Sequence, residues 1–113
     1  MLYIAVTPMP RDPIGTANGV YTSACCGSLI LHDGVLRFDD TNVGYVVEHD
    51  KVGRYVLPDR AIGVVNGSTV AITQSVYFLR LNDSEQPRSL SMIGTDRDGS
   101  LNEYSFVEGP PKD

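Results

Sequence analysis

The stretch that decides the fold is GSLILHDGVLRF, residues 27–38, followed after a short polar link by VGYVVEHDKVGRYVL, residues 43–57. Each half reads as a β-hairpin. Asp33-Gly34 is a two-residue turn of the type that needs positive φ at both central residues. Closing the chain there sets Leu31 against Leu36 and Leu29 against Phe38. Directly opposed residues share a face, so these four form one apolar side. Ser28, Ile30, His32, Val35 and Arg37 fall on the other. A one-residue slip would turn the apolar set outward, so the pattern specifies its own register.

The second hairpin turns near Gly53. A three-residue loop, Lys51-Val52-Gly53, would place Gly53 in the left-handed region. That spacing opposes His49 to Tyr55 and Val47 to Leu57, and it sets Asp50 across from Arg54. A third hairpin surrounds Asn66-Gly67. A two-residue loop there would oppose Ile62 to Ala71. A three-residue loop through Ser68 opposes Val64 to Val70 and Ile62 to Ile72, and the hydrophobic pattern selects it.

The same reading extends outward. Leu2–Val6 forms a first strand, with Leu2, Ile4 and Val6 on one face. Pro8, Pro10 and Pro13 then mark a stiff surface loop reaching Gly19. Val20–Cys26 forms a further strand with a bulge near Ala24. Val76–Leu81 alternates, with Tyr77, Leu79 and Leu81 inward. Leu90–Gly94 and Tyr104–Val107 form the last pair, Met92 opposite Phe106 if the turn spans Asp98-Gly99-Ser100. The links 82–89 and 8–19 have room for a helical turn each.

These eight to ten short strands predict an all-β domain over residues 1–108, an antiparallel meander closed as an up-and-down barrel, with a β-sandwich as the alternative. Residues 109–113 form a tail expected to be disordered. The hairpin meander is similar in texture to small calycin-like or lipocalin-like barrels. That likeness concerns fold and transfers no site residue.

Composition narrows the function classes. The 113 residues suit one domain that needs no metal or disulfide to fold. Nine basic residues against fourteen acidic ones leave a net charge of −5, which argues against a nucleic-acid groove or an anionic membrane as partner. No apolar run approaches the roughly 18 residues of a membrane span. Leu2–Val6 is too short for a signal-peptide core and lacks a basic leader. A soluble chain with no targeting segment is the expectation.

Candidate site residues are few. Cys25-Cys26 is a vicinal pair. Neighbouring Cα atoms lie about 3.8 Å apart, below the roughly 4.4 Å floor of relaxed disulfides. On a strand one thiol would face the core and the other solvent, which makes a nucleophilic or redox role the alternative. His32-Asp33 and His49-Asp50 repeat a dipeptide at hairpin ends, where Asp is a turn former. His49 becomes a catalytic candidate only if Glu48, Asp50, Cys25 or Cys26 converges on it.

Asp96 and Asp98 are metal candidates, because with Gly99 they match three positions of a calcium loop. The first and twelfth positions would be Gly94 and Ser105, so the strongest carboxylate ligands are missing. Arg37, Arg54 and Arg60 are a candidate basic spot. Asn66-Gly-Ser68 and Asn82-Asp-Ser84 match the glycosylation triplet without a secretion signal beside them. No glycine loop or nucleophile elbow is present.

The residues therefore point to a non-catalytic binding or protein-interaction module with no cofactor. Its expected partner is a protein or a small apolar ligand held in the barrel, with homo-oligomerisation through a sheet edge as a further option. The alternative is a small hydrolase or metal-dependent enzyme built on His49.

Overall fold

A computed structural model describes residues 11–74 and 78–109. Within them the chain forms ten strands: β1 Gly19–Ser23, β2 Gly27–His32, β3 Val35–Phe38, β4 Thr41–His49, β5 Arg54–Pro58, β6 Ile62–Val65, β7 Thr69–Ile72, β8 Leu79–Asn82, β9 Ser89–Thr95 and β10 Leu101–Glu108. Eight of them, β1 to β5 and β8 to β10, follow one another as antiparallel neighbours. Pairing of Tyr21 with Glu108 and Thr22 with Val107 joins β1 to β10 and closes the barrel. The expected strand at Leu2–Val6 and the inward Tyr77 lie outside the described residues, as does the tail beyond Gly109.

The first hairpin has the predicted register, with Leu31 opposite Leu36 and His32 opposite Val35. Asp33 and Gly34 both take positive φ, 46° and 92°. Leu29, Leu31, Leu36 and Phe38 are buried, and Ile30, His32, Val35 and Arg37 are exposed. Alternation of this kind recurs in β4 and β8, while β5 and β9 also bury Tyr55, Ser89 and Ser91 of the other face. Tyr21, Val43, Tyr45, Val47, Val56, Leu79, Leu81, Leu90, Met92 and Phe106 join those four in one apolar core.

The β6–β7 hairpin also keeps its predicted three-residue turn, with Ile62 opposite Ile72 and Val64 opposite Val70. It leaves the barrel between β5 and β8. A parallel bridge from Val64 to Gly94 ties it to β9, and Ile62, Val64 and Val70 extend the core. Gly94 permits that crossing, because a Cβ there would sit 2.5 Å from Val64 Cβ and 2.7 Å from Val64 N.

Three expectations are corrected. The β4–β5 turn holds four residues, so Val47 faces Val56, Glu48 faces Tyr55 and His49 faces Arg54. The Asp50 side chain decides this: its Oδ1 accepts the amides of Val52 at 2.9 Å and Gly53 at 3.1 Å, and its own N–H reaches Gly53 O. A local carboxylate ring thus outweighs the bulge that Gly53 was expected to make.

The β9–β10 turn spans Asp96–Ser100 and places Met92 opposite Tyr104 and Leu90 opposite Phe106. The shift is by two residues, so the inward set is unchanged. The strand expected over Val20–Cys26 ends at Ser23. Ala24, Cys25 and Cys26 form the turn into β2, with Cys26 N–H on Ser23 O and Gly27 at φ 85°.

Residues 11–18 of the expected proline loop hold the helical turn it had room for. Ile14–Ala17 makes a 3-10 turn across one end of the barrel and buries Ala17 completely. Tyr21 Oη donates to Ala17 O at 2.9 Å beneath it. Arg88 fastens this plug. Its guanidinium holds both carboxylate oxygens of Glu108 at 2.8 Å, Thr16 O at 2.7 Å and Asn18 O at 3.0 Å. That fork joins the plug, β10 and the β8–β9 link.

Candidate functional site

The plugged end of the barrel gathers the charged side chains. The four-residue β4–β5 turn stands at its rim and is held from two sides. Inside the turn the Asp50 carboxylate binds two backbone amides. From β8 the Arg80 fork meets both Asp50 oxygens at 2.9 and 3.0 Å and also donates to Gly53 O at 3.1 Å. Arg80 lies 4.8 Å from the centre of the Phe78 ring and 5.7 Å from that of Tyr55, which fixes its planar head. The Arg80 bonds, followed by the two amides, hold the Asp50 carboxyl far below the usual carboxylate range.

At the tip of this immobilised turn Val52 is 81 % exposed. An isopropyl group presented on so constrained a backbone is the most solvent-exposed large apolar side chain among the described residues.

Beside the turn is an open cleft of about 280 Å³ lined by Asp12, His49, Asp50, Gly53, Arg54 and Asp83. Asp12 is placed by its backbone, since its N–H binds Val47 O at 2.9 Å on the stretch of β4 that β3 does not reach. Its carboxylate then meets His49 Nδ1 at 3.3 Å and Arg54 Nε at 3.2 Å. Arg54 also binds Asp83, and Asp83 is the main reason its pKa is raised.

The Asp12 contact engages Nδ1 of His49. Among the described residues no hydroxyl or thiol lines this cleft. Among them the His49 imidazole has no nucleophilic side chain beside it.

No protein family, curated protein or solved structure matches the chain.

The remaining candidates are dispersed. His49 is not inward beside Tyr55; the four-residue turn puts it at the rim, and Tyr55 sits on the outer face with its hydroxyl on Glu48 Oε1 at 2.9 Å. That bond leads the causes raising the Tyr55 pKa. Glu48 thus serves Tyr55 and bridges to Arg11 at 3.9 Å. Asp50 pairs with Arg80, where the sequence suggested Arg54.

His32 pairs with its neighbour Asp33, at 3.2 Å, on the β2–β3 turn. Cys25 and Cys26 are joined in a disulfide, with Cys26 Sγ 3.9 Å from Gly67 O in the β6–β7 turn. The pair sits in a turn, which brings both sulfurs to one side; the strand expected there would have separated them.

Asp96 accepts from Tyr104 Oη and Asn102 Nδ2, and Asp98 accepts from Ser100 N–H at 2.9 Å. Among the described residues no three His, Cys, Asp or Glu side chains are placed to hold a metal ion. Arg54 is neutralised by two carboxylates, and Arg37 donates to Asp39 O, so the suggested basic spot is not assembled by these contacts. No helix among the described residues is long and apolar enough to cross a membrane.

Proposed function

We propose that this protein is a non-catalytic binding module that engages a protein partner through the β4–β5 turn and the cleft beside it. The observation that carries this reading is Val52, bare at the tip of a turn fixed by Asp50 and Arg80. A surface ordered before contact loses little conformational entropy on binding. A projecting apolar group ringed by polar side chains is the usual layout of a small protein contact. An apolar side chain presented outside the barrel favours an external contact over an apolar ligand held within it. A homo-oligomer built through a strand edge would use β7, which among the described residues pairs with β6 alone.

A photo-reactive amino acid substituted at Val52 in the producing cell tests the proposal. The expected result is a discrete adduct that is absent when the label replaces Ile30, which is 44 % exposed on the β2–β3 hairpin. No adduct, or the same adducts from both positions, would count against it.

A second reading has one observation in its favour. Asp12 on His49 Nδ1 is the orientation that makes an imidazole a general base, here toward water. Hydrolysis of an activated ester that disappears in His49→Gln and weakens in Asp12→Asn would support it. Equal turnover by all three proteins would remove it.

A further inference from the structure

We propose that the Cys25–Cys26 disulfide is a redox-active site that exchanges electrons with small dithiols while the barrel stays folded. Three observations carry the proposal. The bond joins neighbours in the chain. Disulfides stabilise folds mainly by restricting the unfolded chain, and the effect grows with the loop enclosed. A bond between adjacent residues encloses the smallest loop available, so it is poorly suited to stabilise this β-barrel.

The second observation is access. Cys25 is exposed in the turn between β1 and β2, while Cys26 is half-buried against the core. An attacking thiolate reaches Cys25 Sγ without displacing any strand. The third is that partners for the reduced pair are already in place. Ser23 Oγ lies 3.2 Å from Cys25 Sγ, positioned to donate to a thiolate. Gly67 O lies 3.9 Å from Cys26 Sγ, within reach of an S–H donor. Gly67 N–H in turn binds Thr95 O at 2.7 Å, so the reduced Cys26 would be linked through the β6–β7 turn to β9.

The exchange is balanced with a dithiol as the reductant. One of its thiolates attacks Cys25 Sγ, forming a mixed disulfide and breaking the bond to Cys26, which leaves as a thiolate and takes a proton. The second thiol of the reductant attacks the mixed disulfide at its own partner sulfur. It departs as a cyclic disulfide, and Cys25 leaves as a thiolate and is protonated. Two electrons and two protons pass to the chain, and the dithiol is oxidised.

The test starts from full-length protein oxidised with diamide. Dithiothreitol in native buffer is expected to release two titratable thiols per chain with an unchanged far-ultraviolet circular dichroism spectrum. Removal of the reductant followed by diamide should return the count to zero in a monomer. Across a series of glutathione redox buffers the pair should pass from oxidised to reduced. Cys25→Ser, carried through the same series, should show no such transition.

Amide exchange at Cys26 and Gly67 should differ between the two states, a change that simple exposure of a bystander disulfide would not produce. Thiols that appear only after unfolding in denaturant would overturn the proposal. So would a bond that stays oxidised across the glutathione series, or reoxidation that links separate chains.

Discussion

Replacing Arg88 with Met isolates the energetics of the plug. The guanidinium makes four hydrogen bonds, two to the Glu108 carboxylate and two to the carbonyls of Thr16 and Asn18. Its side chain is 22 % exposed and that of Glu108 is 29 % exposed. Hydrogen bonds to charged groups contribute about 1.5–3 kcal/mol each when buried. These four are not additive, and water can reach the ends freed by the substitution, so the expected loss is about 2–3 kcal/mol.

At roughly 4 °C per kcal/mol for a domain of this length, Tm should fall by about 8–12 °C. Arg37→Met removes one exposed bond of 3.4 Å and is the control, with an expected change below about 0.5 kcal/mol.

The pH dependence has a definite sign. Its bonds to Arg88 hold the Glu108 carboxyl below its ordinary 4.5. Depression in the folded state stabilises the protein fully above the unfolded value. That contribution is lost as pH falls through the folded value. The gap between wild type and Arg88→Met, followed by urea denaturation and circular dichroism, should therefore be constant near neutrality and narrow below about pH 4.5. The two carbonyl bonds survive acid, so it should not close completely. A variant within about 0.5 kcal/mol of wild type, or a gap indifferent to acid, would refute the role assigned to this fork.

Further outcomes can be checked in the same way. Gly94→Ala drives a methyl into Val64 at the β6–β9 crossing and should cost about 1–3 kcal/mol in urea unfolding, with faster amide exchange in β6 and β7. Among the described residues the buried Tyr45 Oη has no hydrogen-bond partner, and burial raises its pKa while the nearby Gly34 backbone lowers it. Tyr45→Phe should thus be neutral or stabilising by up to about 1 kcal/mol in calorimetry, and a clear loss would reveal a partner for that hydroxyl.

Burial, partly offset by Arg88, pushes the Tyr21 hydroxyl up to about 12, so the unfolded chain ionises first. Stability should begin to fall as pH rises above the ordinary value of 10, and Tyr21→Phe should remove that component from an alkaline denaturation series. Val52→Asp should leave Tm unchanged within about 2 °C, because an exposed turn tip supports no packing, while abolishing the adduct formed by the photo-reactive label at a neighbouring position such as Lys51.

Much of the fold was legible because alternation and turn chemistry agree. Asp33-Gly34 and Asn66-Gly67-Ser68 set registers that the buried faces of Leu29, Leu31, Ile62 and Val64 then require. Legibility failed where a side chain rebuilt a turn. Nothing local shows that Asp50 captures two amides and Arg80, and that capture adds a residue to the β4–β5 loop and turns His49 to the rim. Asp96 acts similarly, accepting from Asn102 and Tyr104 across a longer loop than Asp98-Gly99-Ser100 suggests.

The charged end of the barrel was the least legible part. His49 stood out as a residue, but its partner Asp12 lies far away in the sequence before the 3-10 turn, Arg54 meets Asp12 from β5, and Asp83 meets Arg54 from the β8–β9 link. A vicinal cysteine pair reads as two opposed thiols on a strand and as a bonded pair in a turn. The turn itself is signalled only by Gly27.

Closure of the barrel is the central claim of this fold, and the β1–β10 seam tests it most directly. Nuclear Overhauser contacts should connect Tyr21 with Glu108 and Thr22 with Val107, and the seam amides, Gly109 N–H on Val20 O among them, should exchange slowly. An absence of those contacts, with β1 and β10 exchanging as fast as free edges, would contradict the account.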